Sequence, residues 1–421
     1  MGSMRARGLA VPALTALATL TALAGLTACA APGAPAAGRP AIFSTATTPA
    51  AAAAGGVPGA PIPVASAVVS AASLHPAAPA TPTRKPATRP SATPPPAGGT
   101  SAGTPVTAGN PAGHAAIPAG GGAVDASHPD HVIGDGTPAG CTAPAVVAAV
   151  AEGGVIAFSC GAAPVTITMT GPATVSSSSH LVVLDGGGKV TLSGGGRSQI
   201  LTMDPGWQQQ WPRLVVQNLA FTGAYSGTQQ VQGSSVYGGG AIFAGGGQLA
   251  VVNSAFSDDS CYASGPDLGG GAIRAVGMDP AVPVYITGDT FTDDSCSNGG
   301  ALSGLFAHFE VVNSLFAGDK AIGWGANPAA AGTAGGGSGG AIYTDGTGYD
   351  LTVAGTDMHG NTAREGGGAI FYVVNSGAGT LAIDSSTLAD NPSGAFQNAP
   401  GIFDSVDGHD TPPSQSGSSI G

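Results

Sequence analysis

Gly239-Gly240-Ala241-Ile242 returns four times along the chain, as Gly270-Gly271-Ala272-Ile273, Gly299-Gly300-Ala301-Leu302, Gly339-Gly340-Ala341-Ile342 and Gly367-Gly368-Ala369-Ile370. After each copy comes a short apolar phrase: Leu249 to Phe256 (LAVVNSAF), Val284 to Phe291 (VYITGDTF), Phe309 to Phe316 (FEVVNSLF), Leu351 to Met358 (LTVAGTDM) and Leu381 to Leu388 (LAIDSSTL). An earlier copy, Leu214 to Phe221 (LVVQNLAF), has no glycine phrase directly before it, so the repeat begins upstream of its most regular part.

The alanines at 241, 272, 301, 341 and 369 are separated by steps of 31, 29, 40 and 28 residues. Periods of roughly 20 to 50 residues belong to solenoids, propellers or arrays. Each period holds short alternating apolar runs and glycine turns without a helical pattern, and its two or three strands are fewer than the four of a propeller blade. The reading is an all-β, single-stranded parallel β-helix (solenoid). Coils of such a fold stack at about 4.8 Å, so like residues one period apart become neighbours. Phe221, Phe256, Phe291 and Phe316, continued by Met358 and Leu388, are expected to form one interior ladder, and the five alanines another. The paired glycines before those alanines are expected to take backbone angles closed to other residues.

Charged residues make up only 9% of the chain, which carries 24 acidic and 12 basic side chains. Six of the basic ones precede Asp125 and no acidic one does, so the remainder bears a net charge of about −18. That balance argues against nucleic acid and anionic membrane surfaces as partners, and suits cations or neutral sugars. At the N-terminus, Arg5 and Arg7 precede an apolar run from Leu9 to Leu26, the pattern of an export signal. Residues 30–124 are rich in Ala, Pro, Thr and Gly and are expected to be a disordered tether.

A capping unit then opens the domain expected at 125–403. Thr142 is a plausible N-cap, Pro144 falls in the first turn, and Gly153-Gly154 stops a short helix that would cover the open end of the solenoid. Cys141 and Cys160 flank this unit and are expected to pair in an exported protein. Cys261 and Cys296 occupy matching positions one coil apart, each in Asp-Asp-Ser-Cys, and are expected to bridge adjacent coils. Residues 404–421 are polar and contain Pro412-Pro413, which predicts a frayed tail.

The Gly-Gly-Ala-Ile phrase followed by the Phe phrase resembles right-handed parallel β-helix proteins with polymorphic outer membrane protein-type repeats, in which the second phrase reads Phe-x-x-Asn. Here Phe256-Ser257-Asp258-Asp259, Phe291-Thr292-Asp293-Asp294 and Phe316-Ala317-Gly318-Asp319 place Asp where that pattern has Asn. Met358-His359-Gly360-Asn361 and Leu388-Ala389-Asp390-Asn391 keep the Asn and lose the Phe. Val132 to Leu192, with its helix and Gly186-Gly187-Gly188 turn, is similar to the opening of the pectate-lyase-like superfamily. Leu26-Thr27-Ala28-Cys29 resembles the lipobox of bacterial lipoproteins, which implies a signal peptide over 1–29, a lipid on Cys29 and an exported protein anchored to the outer face of the cell membrane. The fold hosts lyases, hydrolases, adhesins and inert stalks, so the resemblance is specific for architecture rather than activity.

Asp258, Asp259, Asp293, Asp294 and Asp319 fall at one place in consecutive copies, and stacked carboxylates either splay into water, hold protons or share a hard cation such as Ca²⁺. Arg274, Lys320 and Arg364 are the basic residues of the regular coils, with Arg274 and Lys320 near the acidic pairs in the repeat register. By the resemblance, lyases of this fold use a basic residue beside a Ca²⁺-neutralised uronate, and hydrolases use clustered Asp with a His-Gly, to which Asp357 and His359-Gly360 are faintly similar. Neither set is complete. Trp324, in the 40-residue step, is the candidate ligand contact. Two functions are consistent with the sequence: an adhesin-like surface protein binding a glycan or another surface protein, and a polysaccharide lyase or glycoside hydrolase.

Overall fold

The computed structural model describes residues 99–227, 237–326 and 330–421. Cys29, the 1–29 signal and the first part of the 30–124 segment lie outside the described residues. The chain winds into a parallel β-helix. Its first sheet carries two strand columns per coil, such as Gln248–Val252 and Ala255–Ser257, then Val284–Thr287 and Thr290–Thr292. A second sheet stacks Leu201–Met203, Ile242–Gly245, Ile273–Val276, Leu302–Leu305, Ile342–Thr347, Ile370–Ser376 and Ile402–Val406 in parallel. A third is short: Ser295–Cys296, Lys320–Ala321 and Thr362–Ala363.

Residues one period apart face each other across neighbouring coils. Phe256 pairs with Phe221 and with Phe291, and Phe291 with Phe316. Their rings stack at centroid distances of 4.8, 4.8 and 4.6 Å with interplanar angles of 10° or less. All four are buried, and Met358 and Leu388 continue the row. Burying one such ring stabilises the fold by roughly 1.5–3 kcal/mol. The five alanines of the glycine phrase are fully buried; the first four N–H groups bond the next coil's alanine carbonyl, as from Ala241 to Ala272 at 3.0 Å, and Ala369 N–H bonds the Gly401 carbonyl at 2.8 Å. The two glycines of the phrase have separate reasons to be glycine. Gly270 has φ of +74°, whereas a Cβ on Gly271 would lie 2.2 Å from the Gly300 carbonyl oxygen.

A sharp corner separates the two columns of the first sheet. Its residues take positive φ in successive coils: Asn218, Asn253, Gly288, Asn313, Gly355 and Ser385. Asn tolerates this region better than most side chains, which explains the Asn-Ser dipeptides in the repeat. The residue after the corner turns inward, and from Ser254 onward its side-chain oxygen accepts the main-chain N–H one coil back. Ser254 N–H donates to Asp289 Oδ1 at 2.7 Å, Asp289 N–H to Ser314 Oγ at 3.1 Å, and Thr356 N–H to Ser386 Oγ at 3.0 Å.

At the N-terminal end the helix Ala143–Glu152 forms as the cap residues predict: Thr142 Oγ1 accepts from Ala145 N–H and Gly153 ends it. Val146 and Val150 are fully buried and join the core. The Cys141–Cys160 disulfide closes the unit, with 5.6 Å between Cα atoms.

Both outer boundaries differ from expectation. Residues 99–124 are not free of the solenoid. Thr100–Ala102 pairs antiparallel with Val165–Ile167, and the chain then runs along the coils as a strap. Gly109 N–H donates to Thr290 Oγ1 (2.8 Å), Asn110 Nδ2 to the Gly355 carbonyl (3.0 Å), and Asn313 Nδ2 to the Ala115 carbonyl (2.9 Å). Returning, Gly120 accepts from Arg213 (2.8 Å) and Val124 exchanges two bonds with the Gln217 amide (2.8 and 2.9 Å). Apolar-poor composition forecast disorder, but the strap's polar groups find partners on the solenoid instead. At the other end, Ser414–Ser416 and Ser419–Ile420 add a further rung. Ser418 Oγ accepts from Ser386 N–H at 3.1 Å and Ile420 stacks on Leu388, so residues 404–421 keep the inward pattern after the surrounding phrase has lost its apolar residues.

Candidate functional site

The residue after each aliphatic position of the glycine phrase points out of the second sheet. That outward row runs Phe243, Arg274, Ser303, Tyr343, Phe371 and Phe403, in register. Tyr343 stacks on Phe371 at 5.0 Å and Phe371 on Phe403 at 5.3 Å, with Val276 and Leu305 beside them. The sequence order of the elements puts loops at both borders of this face. The loop 204–212 follows the strand Leu201–Met203, and the stretches 261–269 and, among the described residues, 322–326 and 330–338 precede the strands that begin at Ile273 and Ile342.

These loops carry all three tryptophans of the chain. Trp207, Trp211 and Trp324 are 41%, 51% and 53% exposed. Trp207 rests on Gly277, where a Cβ would come within 2.3 Å of its ring, and meets Phe306 edge-on at 5.1 Å. Trp211 lies against His180 at 5.2 Å. Between the two tryptophans, Gln208, Gln209 and Gln210 are exposed, and Gln208 N–H anchors the loop to the Gly277 carbonyl at 2.6 Å. On the opposite border, Trp324 sits in an insert tied to the neighbouring loop directly, through Gly265 N–H to the Gly335 carbonyl (3.1 Å), and by way of Asn298, whose Nδ2 donates to the Pro266 carbonyl (2.8 Å) and whose Oδ1 accepts from Ser338 N–H (3.1 Å).

Arg274 is fully buried on the outer face, not beside the acidic pairs as the register suggested. The glycine phrase ends one residue earlier, so the alternation of the strand turns Arg274 out of the second sheet. Its guanidinium donates to the Asp267 carbonyl (2.8 Å) and to Ser303 Oγ. Burial pushes it down to about 10, against the opposing pull of Tyr343, Asp267 and Asp345. Tyr343 Oη donates to Asp345 Oδ2 at 3.2 Å. Burial raises both the Tyr343 hydroxyl and the Asp345 carboxyl, the latter opposed by hydrogen bonds from Asn375 and Tyr343.

The five stacked aspartates separate into two rows. Asp258 and Asp293 stand at positive φ and face solvent, and Asp293 pairs with Lys320 Nζ at 3.0 Å. Asp259, Asp294 and Asp319 are fully buried and face the interior. Ca²⁺ takes six to eight oxygens, and carboxylates on opposite sides of a strand turn do not converge to supply them. Among the described residues, no group of three His, Cys, Asp or Glu could hold a metal ion. The Cys261–Cys296 disulfide spans adjacent coils beside this row, with 4.8 Å between Cα atoms. Arg364 is exposed and donates to the Ile322 carbonyl at 3.0 Å. His359 and Asp357 form a pair at 3.3 Å on the outside of the first sheet. The candidate catalytic residues thus occupy three different sheets or their borders, and only Asp357 with His359 are brought together.

The sequence reading singled out Trp324 and passed over Gln208 to Gln210, Tyr343 and Asp345. A signal for the last two exists in the alternation after the glycine phrase, which assigns each following residue to one side of the sheet. Among the described residues no helix is long and apolar enough to cross a membrane. No protein-family model, curated protein or solved structure matches this chain.

Proposed function

We propose that the chain is an exported, lipid-anchored surface protein whose β-helix binds an uncharged glycan. In this it acts like the adhesins among β-helix proteins with polymorphic outer membrane protein-type repeats. The observation that carries the reading is the exposure of every tryptophan on loops bordering one face of the solenoid. Tryptophan is highly buried on average, and an exposed indole is an economical contact surface. The sequence Trp207-Gln208-Gln209-Gln210-Trp211 places amide donors and acceptors between two such rings without a charge, which suits a polyhydroxylated neutral ligand. The acidic solenoid disfavours an anionic one. Localisation rests on the lipobox-like Leu26 to Cys29 and the preceding apolar run.

A second reading, a polysaccharide lyase or hydrolase of the pectate-lyase-like kind, is favoured by one observation: Arg274, Tyr343 and Asp345 lie together on the outer face of the second sheet. One experiment separates the two. The full chain is titrated against neutral and uronic-acid oligosaccharides by calorimetry. The uronic-acid polymers are also incubated with Ca²⁺, with ultraviolet absorbance and reducing ends followed. Binding of a neutral glycan that weakens at least tenfold in Trp207→Ala/Trp211→Ala, with melting unchanged, supports the binding reading. Release of unsaturated or reducing ends supports the enzyme. Binding that survives the double substitution removes this loop as the site.

A further inference from the structure

One interior row of the solenoid begins at Ala224 and continues through Asp259, Asp294, Asp319, Asn361 and Asn391. Every member from Asp259 onward accepts the main-chain N–H one coil back. Ala224 N–H donates to Asp259 Oδ1 (2.7 Å), Asp259 N–H to Asp294 Oδ1 (2.8 Å), Asp294 N–H to Asp319 Oδ1 (3.0 Å), Asp319 N–H to Asn361 Oδ1 (2.9 Å) and Asn361 N–H to Asn391 Oδ1 (3.1 Å). The second side-chain atom distinguishes the two residue types. Asn361 Nδ2 donates to the Phe316 carbonyl at 3.0 Å and Asn391 Nδ2 to the Met358 carbonyl at 2.8 Å, each one coil back. Where Asp replaces Asn, the corresponding oxygens, Oδ2 of Asp259, Asp294 and Asp319, are buried and have no hydrogen-bond partner. By the strand register the acceptors facing them are the carbonyls of Phe221, Phe256 and Phe291. A bare carboxylate oxygen pointed at a carbonyl is repelled, whereas a carboxylic acid oxygen donates to it and reproduces the asparagine bond.

We propose that Asp259, Asp294 and Asp319 fold as uncharged carboxylic acids, each donating its Oδ2–H to a main-chain carbonyl of the preceding coil. The solenoid is thereby tightest in acid and loosens as the pH rises. The surroundings favour the neutral form. Asp258 and Asp293 stand one residue away and add negative charge, the nearby Cys261–Cys296 pair does not titrate, and Lys320, the one cation close by among the described residues, opposes the shift of Asp319 but is exposed and bound to Asp293. Burial raises all three carboxyls, Asp259 to about 8, and each charged neighbour in the row would raise Asp294 further. The sign follows. A carboxyl whose folded pKa is raised contributes its full stability below the unfolded value and loses it as the pH climbs through the folded one. Asp289, Asp345 and Asp404 are also raised by burial and lie outside this row, so the difference between wild type and a row variant isolates the three aspartates.

The test is thermal melting of the full chain across pH, for wild type and for Asp259→Asn/Asp294→Asn/Asp319→Asn. The wild-type melting temperature, relative to the variant, is expected to fall by roughly 5 °C or more between about pH 5 and about pH 8. The variant should melt above wild type at the upper end. A difference that stays constant with pH, or grows in favour of wild type, overturns the proposal. Should the triple variant not fold, infrared difference spectra at neutral pH between folded wild type and the single variants Asp259→Asn, Asp294→Asn and Asp319→Asn decide, since Asp289 and Asp345 cancel in the difference. Loss of a protonated-carboxyl C=O band in the single variants supports it, and loss of carboxylate bands only refutes it.

Discussion

Two stretches of the same solenoid fill equivalent interior positions with different side chains. From Phe221 to Asp319 the core row is four stacked phenylalanines, the polar row beside it is aspartic, and the Cys261–Cys296 disulfide joins two of the coils. From Met358 to Asn391 the core row is Met and Leu, the polar row is Asn with its amide satisfied, and Ala363 stands in the Cys296 column, reached through Ala321. The backbone path is common to both. The comparison shows that a coil needs an inward oxygen at this turn, to accept the N–H below it, more than it needs a particular residue. The aspartic stretch carries carboxyls whose second oxygen finds no donor, and it is also the stretch with the ring stack and the covalent bridge.

Phe291→Ala should have the largest effect. It opens the middle of the ring stack, and large-to-small truncation of a buried Phe loses about 3–5 kcal/mol; Met358→Ala in the other stretch should lose about 2–5 kcal/mol, both read by chemical denaturation. Removing the bridge with Cys261→Ser/Cys296→Ser should destabilise the chain by about 2–4 kcal/mol. The loss should concentrate in the aspartic stretch, as faster amide exchange there than at Asn361 and Asn391. Asn361→Asp, the smallest change, extends the aspartic row by one. It should lower stability by about 1–3 kcal/mol near neutral pH, where a raised carboxyl is losing its proton, and by less in acid, where the acid O–H keeps the bond to the Phe316 carbonyl and only the amide's second bond, to Asn391 Oδ1, is lost. Equal losses at both pH values would show that position 361 does not share the chemistry of Asp319.

The ring and alanine ladders were legible because stacking turns a sequence period directly into contact, and Phe256 over Phe291 needed nothing beyond the count. The orientation of the Asp-Asp pairs was not. Which carboxyl enters the core depends on positive φ at Asp258 and Asp293, and a dipeptide of identical residues does not distinguish the turn position from the inward one. Arg274 was misplaced for a related reason, since its side of the sheet follows from strand alternation rather than from proximity in the repeat. The strap was hidden more deeply. Its partners, from Val165 to Gly355, are scattered along the sequence, and its own composition carries no apolar pattern to announce them.

The strap also sets how the molecule takes load. Tension on the chain ahead of Gly99 first meets strand Thr100–Ala102 on its antiparallel partner, and behind it the anchors at Thr290, Asn313 and Gly355. Because the segment lies lengthwise over the coils, those anchors are spread along the axis, and the pull reaches several turns of the spring before the first one can unwind.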